Sequence, residues 1–274
     1  MIKKKDPPRV NKTALAKEMK VSRSSLYYKS KMDIKDTVIK EQILSVLEEH
    51  KSYGHKRIAI ALCLNKKRIL RIMKKFNIKP YRRRIFKRKK NDEKFPEMKY
   101  INCFKLLCPI QNNAIWASDF TYMKFQGKFY YFATIIDVFT KEIKGFSFSN
   151  RHDTSLITQA LRNALENNKA PQFLHSDQGS EYRSEQYTSY AQSVGITISM
   201  SAKGKPWENG FQESFYSQFK VDLGQINRFD FLGELIEALY LQVYYYNNKR
   251  IHTSIKMPPA LFAKQHSLIS NKVF

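Results

Sequence analysis

The sequence predicts a mixed α/β domain, a sheet flanked by helices, preceded by an all-α, strongly basic region. Three observations lead to this prediction: apolar residues repeat at helical spacing in the first third, short aromatic and β-branched runs begin after residue 110, and helix and strand patterns alternate after them. The predicted order of the second part, βββ-α-β-α-β-α-α, is typical of a layered mixed α/β fold.

Positive charge is concentrated in the first part of the chain. The 274 residues carry a net charge of +25, and residues 1–110 hold 32 Lys and Arg against 10 Asp and Glu, whereas residues 111–274 hold 17 against 14. A cationic helical half suits a polyanion such as DNA or RNA. A lysine-rich genome is the alternative explanation for the positive charge, but it does not explain why the second part of the chain is nearly neutral.

Several classes of protein are excluded by composition. No apolar run approaches the roughly 20 residues of a membrane span. The basic start, MIKKKDPPRV, is followed by no apolar segment with a cleavage site, so we expect no signal peptide. The cysteines are few and odd in number, which favours a reducing compartment over a disulfide scaffold.

The first element is a helix-turn-helix-like segment, assigned to residues 1–32. Apolar residues line one side of a first short helix, Val21 and Ser22 form a turn, and Ser22 can cap a second, basic helix that begins at Arg23. This layout is typical of a DNA-binding helix-turn-helix, although many small helical hairpins share it. Arg23 is therefore a predicted DNA contact.

A second helical DNA-binding segment is predicted over residues 33–79. Ile39, Ile43 and Leu47 repeat at helical spacing, Tyr53-Gly54 breaks the pattern, and two more helices follow. Basic residues lie on their polar faces, and a solvated basic face is the equal alternative to DNA contact. The predicted contacts here are Arg57, Arg68 and Arg71.

Residues 80–110 are predicted to be a basic linker. Aromatic residues interrupt a cationic run that ends in charged, proline-bearing sequence. Such a segment suits the phosphate backbone of DNA. The predicted contacts are Arg82, Arg83 and Arg84.

The α/β domain is assigned to residues 111–270. Three neighbouring antiparallel strands are separated by turns at Gln126-Gly127 and Thr140-Lys141, and Asp153 can cap the helix that follows them. A strand ending in HSDQG, a helix closed by Gly195, a strand ITISM and two further helices complete the predicted order.

Three acids occupy positions where an acid needs compensation. Asp119 lies within an apolar strand, Asp177 ends the strand after the first helix of the domain, and Glu213 lies on a later helix. A buried carboxylate is costly without a compensating charge, and a divalent metal ion is one such charge. A structural acid paired with a lysine is the alternative for Asp119 taken alone.

The helix that carries Glu213 has two stripes. Asn209, Glu213, Ser217 and Lys220 follow a polar one, whereas the phenylalanines at 211, 215 and 219 follow an apolar one that would pack on the sheet. Lys220 lies about 10 Å along the axis from Glu213, too far for a simple ion pair but suited to a DNA phosphate beside the acids.

These acids and the motifs around them resemble a known family. Asp119, Asp177 and Glu213, with 35 residues between the last two, are similar to the DDE triad of transposases and retroviral integrases. The stretches WASDFTY, HSDQGSEY, SAKGKPWENGFQESFYSQFK and YYNNKRIHTSIKMPPALF resemble the second-frame product of an IS3-type insertion sequence, close to the IS150 group.

The resemblance implies an RNase H-like catalytic core with a mixed five-stranded sheet. It implies that Asp119, Asp177 and Glu213 bind two Mg²⁺ or Mn²⁺ ions, and that water or a 3′-hydroxyl attacks a phosphodiester. It also implies double-stranded DNA as partner, both terminal inverted repeats and target, and a homo-oligomer on that DNA. An upstream-frame product, separate or fused, is a further implied partner, and the implied location is the bacterial cytoplasm, on the nucleoid.

Further residues are candidates for the same site. Asp137 and His175 are predicted to support the metal ligands, with purely structural roles as the alternative. The remaining predicted DNA contacts are Lys203, Lys205, Asn209, Lys220, Arg250 and His252.

Two other function classes stay open at this point. A nuclease of the same fold would cut DNA without joining it, and the triad alone cannot separate the two. A DNA-binding partial product or repressor would need fusion to an upstream reading frame for activity.

Overall fold

The protein is described by a computed structural model that covers residues 11–28, 31–82, 100, 102–103, 109, 111–201 and 210–270. Five predicted DNA contacts lie outside the described residues: Arg83, Arg84, Lys203, Lys205 and Asn209.

The basic region is helical, as predicted. Its elements are α1 (Lys12–Glu18), a 3₁₀ helix (Arg23–Tyr27), α2 (Lys31–Glu49), α3 (His55–Ala61) and α4 (Lys66–Lys75). Helices α2 to α4 enclose a small core of their own, because apolar side chains at helical spacing face one another. Its most buried members are Ile43, Tyr53, Ile58, Ile69 and Ile72.

The predicted second helix of the first segment is present as a short 3₁₀ helix rather than an α-helix. Ser22 caps it, as predicted, by accepting a hydrogen bond from the Ser25 amide. The Ser22 hydroxyl also shares hydrogen bonds with those of Ser24 and Ser25. Serine hydroxyls that bond locally compete with the α-helical backbone pattern, so the serine run favours a short 3₁₀ helix over an α-helix.

The α/β domain contains the predicted strands and helices, one more α-helix and a short 3₁₀ helix, Ile226–Arg228. Its elements are β1 (Ile115–Phe125), β2 (Lys128–Asp137), β3 (Ile143–Ser149), α5 (Thr154–Glu166), β4 (Phe173–Ser176), α6 (Glu185–Ser193), β5 (Thr197–Met200), α7 (Gly210–Leu223), α8 (Leu232–Asn248) and α9 (Pro259–Ser270). The last was not predicted, although a proline at the first helical position is a start signal.

The five strands form one mixed sheet in the order β3-β2-β1-β4-β5. The pairs β1–β2 and β2–β3 are antiparallel, whereas β1–β4 and β4–β5 are parallel. This confirms the three neighbouring antiparallel strands and the mixed five-stranded sheet expected from the sequence. The first hairpin turns at Gln126 and Gly127, both with positive φ, as the predicted turn requires.

Helices cover both faces of the sheet. Helices α5 and α6 pack on one face around Trp116, Ile157 and Leu161, and α7 and α8 pack on the other around Phe132, Phe219 and Leu239. No described helix is long and apolar enough to cross a membrane.

The helical segment α2–α4 docks on the α/β domain near the end of α8. The Ile251 amide donates to the Tyr53 hydroxyl, and the Arg57 Nε donates to the Ile251 carbonyl at 3.0 Å. Nearby, His50 shares a 2.8 Å hydrogen bond with the Tyr245 hydroxyl. The segment and the domain are therefore joined by polar contacts as well as by packing of Ile251 on the helical core.

Candidate active site

Asp119 lies near the middle of β1, on the face covered by α7. The neighbouring residues at alternate positions, Ala117 and Met123, pack with side chains from that side of the sheet. Because side chains alternate along a strand, Asp119 shares their face. Its Oδ1 accepts a 2.8 Å hydrogen bond from the Phe120 amide.

Asp177 follows β4 directly. In the parallel pair Ala117 lies opposite His175, and the same register continued by two residues brings Asp177 opposite Asp119. The Gly179 amide donates to Asp177 Oδ1 at 2.9 Å, and a Cβ at Gly179 would lie 3.1 Å from that oxygen and 3.2 Å from Glu181 Oε2. The missing side chain at Gly179 therefore leaves room beside two carboxylates.

The acids influence one another electrostatically. Burial, reinforced by the negative charges of Asp177 and Glu213, raises the pKa of Asp119 to about 8 against the opposing Phe120 hydrogen bond. Burial and the charge of Glu181 also raise the pKa of Asp177, against the hydrogen bond from Gly179. Within the described residues, the charges that act on these two carboxyl groups are all negative, which is the situation a metal ion relieves.

Glu213 is an exposed residue in the first turn of α7. Three side chains one helical turn apart fix this helix on β1: Gln212 donates to the Ala117 carbonyl at 2.6 Å, Tyr216 to the Asp119 carbonyl at 2.5 Å, and Lys220 to the Tyr122 carbonyl at 3.0 Å. The Tyr216 hydroxyl also shares a 2.9 Å hydrogen bond with Thr134. Helix α7 is therefore positioned by the strand that carries Asp119.

The predicted apolar stripe of α7 packs as expected. Phe215 and Phe219 are buried between the sheet and α8, and Phe219 stacks on Phe132 with ring centroids 5.2 Å apart. Phe211 is half-buried at the edge of the same cluster. This packing turns Glu213 and Ser217 toward solvent.

The donor set fits a hard divalent cation. All the candidate ligand atoms are carboxylate oxygens, which Mg²⁺ and Mn²⁺ prefer. Asp119 lies on β1, and Asp177 directly follows the adjacent strand β4. Within the described residues, no three His, Cys, Asp or Glu side chains are close enough to form a complete cluster. An aspartate on β1, a second just after β4 and a glutamate on the covering helix thus form an incomplete set of carboxylates, which would suit a metal shared with phosphate oxygens.

Lys220 lies beside β1, as its helical stripe leads us to expect, but its ammonium is engaged there. It donates to Thr121 Oγ1 at 2.6 Å and lies 5.3 Å from the centre of the Tyr122 ring. Its part in DNA contact stays a prediction.

Arg250 is buried in an ion pair with Asp222, which also accepts a hydrogen bond from Ser52. This geometry favours a structural role for Arg250 at the junction with the helical segment. Arg71 likewise forms a two-pronged ion pair with the fully buried Asp36, although the Arg71 side chain is 46 % exposed.

The other described DNA candidates differ in exposure. Arg23 and Arg82 are exposed, whereas Arg57, Arg68 and His252 are half-buried. The His252 Nδ1 shares a 2.9 Å hydrogen bond with Ser254, and its amide pairs with the Met257 carbonyl. The structure thus places Arg57 and His252 at the junction and Arg23 on the outer surface.

The two predicted supporting residues are both buried. His175, two residues before Asp177, shares a 2.8 Å hydrogen bond with the Ser199 hydroxyl on β5. Asp137 accepts hydrogen bonds from the amides of Asn113, Phe139 and Thr140, which favours the structural alternative for this acid.

Three residues near the site were not singled out from the sequence. Glu181 was hidden in a polar loop, where its spacing of four from Asp177 was the available signal. Gln212, Tyr216 and Lys220 follow one another at intervals of four residues and so lie on the same helix face. Polar residues at that spacing within an apolar helix face are a signal for contacts with a strand.

Comparisons with known proteins agree with this architecture. The family described as Integrase core domain matches residues 109–206, and a second family with the same description matches residues 194–259. A simian T-cell lymphotropic virus intasome, determined by cryo-electron microscopy with PP2A regulatory subunit B56 gamma, is similar in fold, with a TM-score of 0.52 at 16% identity over 81% of this chain and 74% of the viral one.

Two curated relatives cover almost the whole chain. The transposase of insertion sequence element IS904 from Lactococcus lactis subsp. lactis is 32% identical over 87% of this chain and 98% of its own length. The InsK protein of insertion sequence element IS150 from Escherichia coli K12 is 30% identical over 88% and 89%. The fold predicted from the resemblance, an RNase H-like core, is thereby confirmed, and the chain belongs to the IS3 family of DDE transposases, polynucleotidyl transferases with an integrase core that act on DNA by a metal-dependent mechanism.

Proposed function

We propose that Asp119, Asp177 and Glu213 are the catalytic carboxylates of this transposase and hold two Mg²⁺ or Mn²⁺ ions. The observation that carries the proposal is the continued β1–β4 register, which brings Asp119 and Asp177 together on the face covered by the Glu213 helix. The raised pKa values of both aspartates support it, because they indicate carboxyl groups in need of a cation.

When bound, the two ions would activate the attacking oxygen and stabilise the leaving oxygen of an in-line displacement at a phosphodiester. The chain's own residues supply position. Gln212 and Tyr216 hold α7 against β1, so Glu213 stays at the edge of the site. The Phe120 and Gly179 amides orient the two aspartates through one hydrogen bond each.

The substrate in this proposal is the end of an insertion sequence. Water attacks the phosphodiester in the nicking step and releases a 3′-hydroxyl. In the joining step that hydroxyl attacks a second phosphodiester and displaces the 3′-oxygen of the strand that is broken. The basic segments 1–32, 33–79 and 80–110 would bind terminal inverted repeats, through Arg23, Arg57, Arg68, Arg71 and Arg82–Arg84. Lys203, Lys205, Asn209, Lys220 and His252 would contact DNA near the carboxylates, with His175 supporting the ligands.

Assembly and location complete the proposal. The chain would act as a homo-oligomer on DNA, in the bacterial cytoplasm on the nucleoid. An upstream-frame product, separate or fused, would contribute further DNA binding.

The test is strand cleavage and joining of a labelled duplex that carries the element's own terminal repeat. Wild type is compared with Asp177→Asn and with Asp230→Asn, which changes an exposed aspartate outside the site. We expect Mg²⁺- or Mn²⁺-dependent joining by wild type and Asp230→Asn and its loss in Asp177→Asn.

Other outcomes separate the alternatives. Cleavage without joining would identify a nuclease. Binding without cleavage by wild type would identify a partial product that needs the upstream frame, and joining retained by Asp177→Asn would refute the assignment of the carboxylates.

A further inference from the structure

A cationic cavity lies where the helical segment meets the α/β domain, separate from the three carboxylates. Its volume is about 300 Å³, and its walls come from α3, the β2–β3 turn, α7 and the loop after α8. Its chemically important lining residues are Arg57, Lys141, Ser214, Arg250, His252 and Ser254. Each of the four walls contributes at least one group that can donate a hydrogen bond.

The charge of this cavity is not balanced by its own walls. Arg250 is paired with Asp222, whereas Arg57 and Lys141 form no ion pair with a described residue, although the charge of Asp222 also acts favourably on Arg57. None of the described residues that line the cavity carries a carboxylate. Asp137 favours the charged form of Lys141, but its carboxylate is taken up by backbone amides and does not line the cavity.

The two cations are held in place rather than left to move on the surface. Lys141 has φ 66°, in the left-handed region, and its ammonium donates to the Val138 carbonyl at 2.5 Å and lies 4.5 Å from the centre of the Phe211 ring. The Arg57 guanidinium donates through Nε to the Ile251 carbonyl, and within the described residues its terminal nitrogens make no further hydrogen bond. Both side chains therefore offer donors to the cavity in a fixed position.

The groups in the cavity disfavour one another's positive charge. Burial lowers the pKa of Lys141, and burial together with the charge of Arg250 lowers the pKa of Arg57. Burial and the charges of Lys141, Arg250 and Arg57 lower the pKa of His252 to about 4. An anion in the cavity would relieve this repulsion and would accept hydrogen bonds from the same groups.

We propose that this cavity binds a phosphate group of the DNA backbone, with Lys141 and Arg57 as charged donors and the hydroxyls of Ser214 and Ser254 as neutral donors. Its size leaves room for a phosphate with ordered water, since one water occupies about 30 Å³ of liquid. Ser214 is the neighbour of Glu213 on α7, so a phosphate held here connects the DNA to the catalytic helix and to α3 at once. The proposal does not depend on which carboxylates bind metal.

The first experiment measures the affinity of the full chain for a labelled terminal-repeat duplex over a range of salt concentrations, without divalent metal. Loss of one phosphate contact lowers the slope of log K against log salt by about 0.9. We expect that loss in Lys141→Gln, recovery in Lys141→Arg, and no change in Lys169→Gln, which removes an exposed lysine elsewhere in the domain. A Lys141→Gln slope equal to that of wild type would overturn the proposal.

A second experiment separates backbone phosphate from free phosphate. Thermal unfolding of the same chain is followed in potassium phosphate and in potassium chloride of equal ionic strength. We expect phosphate to raise the melting temperature of wild type but not of Ser214→Asp, which places a negative charge in the cavity from an exposed helical position. Stabilisation by phosphate without any Lys141 effect on the DNA slope would indicate a free-phosphate site, and the DNA assignment would be wrong. Binding is read here without cleavage, so failure would leave the catalytic carboxylates untouched.

Discussion

Asp177 lies one residue beyond β4, where the parallel β1–β4 register continues to Asp119. The register pairs Ile115 with Phe173 and Ala117 with His175, and each partner lies 58 residues further along the chain. The same offset separates Asp119 from Asp177. Two acids far apart in sequence therefore meet because a crossover through α5 returns the chain beside β1.

Asp119→Asn should stabilise the metal-free protein at alkaline pH. The pKa of Asp119 in the folded state, about 8, lies above its ordinary 3.8, so ionisation destabilises the fold progressively between these values and fully above pH 8. We expect the variant to gain on the order of 1–3 kcal/mol in free energy of unfolding at pH 9, measured by urea denaturation in EDTA.

Divalent metal should make wild type more stable than Asp119→Asn, the reverse of the order expected in EDTA. Mg²⁺ or Mn²⁺ is expected to raise the melting temperature of wild type and to act little on Asp119→Asn, because the carboxylate that would bind it is gone. Equal stability of the two proteins in EDTA would contradict the buried charge, and equal metal stabilisation would contradict its role as a ligand.

Tyr216→Phe should slow cleavage without weakening DNA binding. The change removes the hydrogen bond to the Asp119 carbonyl and leaves the buried Thr134 hydroxyl without this partner. We expect a loss of about 1–2 kcal/mol in free energy of unfolding and a lower cleavage rate at saturating DNA. Tyr130→Phe is the matched control, since its ring stacks on Phe148 in the same cluster while its hydroxyl forms no hydrogen bond with the described residues. Equal rates for the two variants would show that α7 does not need this contact.

Arg250→Met should lower the free energy of unfolding, and its main effect should not be on DNA affinity. The change leaves Asp222 as a buried carboxylate without its cation, which costs about 3–5 kcal/mol in similar pairs. Chemical denaturation is expected to show that loss, and the double variant with Asp222→Asn should recover part of it. A stable Arg250→Met protein with weakened DNA affinity would instead support the DNA contact predicted from the sequence.

His252→Gln should reduce the sensitivity of the protein to acid. The pKa of His252 in the folded state, about 4, lies below its ordinary 6.5, so the unfolded chain takes up this proton first. The contribution of His252 to stability therefore falls as pH drops from 6.5 toward 4, opposite in sign to that of Asp119. Melting temperatures measured across this range should fall less steeply in the variant. Burial also lowers the pKa of His50, so part of the slope is expected to remain. An unchanged slope would show that His252 does not titrate as its surroundings indicate.

Local patterns predicted most of the fold because they report backbone chemistry directly. Alternating apolar residues, turn pairs such as Gln126-Gly127 and caps such as Asp153 have their effect within a few residues, and the structure confirms each of them. The short helix after Ser22 is present, but it is a 3₁₀ helix, because the local hydrogen bonds of the serine hydroxyls compete with the α-helical pattern. The proposed triad was predicted from the order and spacing of its three acids, which resemble those of a known family.

The sequence by itself determined the three acids, the strands and helices that carry them, and the division into a cationic part and a nearly neutral part. Tertiary structure decided which charges are paired: Arg250 lies with Asp222, Arg71 with Asp36, and Lys141 enters a cavity shared with Arg57. The physical reason is the distance along the chain over which each interaction acts. Periodicity and capping depend on neighbours in the chain, whereas burial and charge compensation depend on partners that only the folded sheet and its helices bring together.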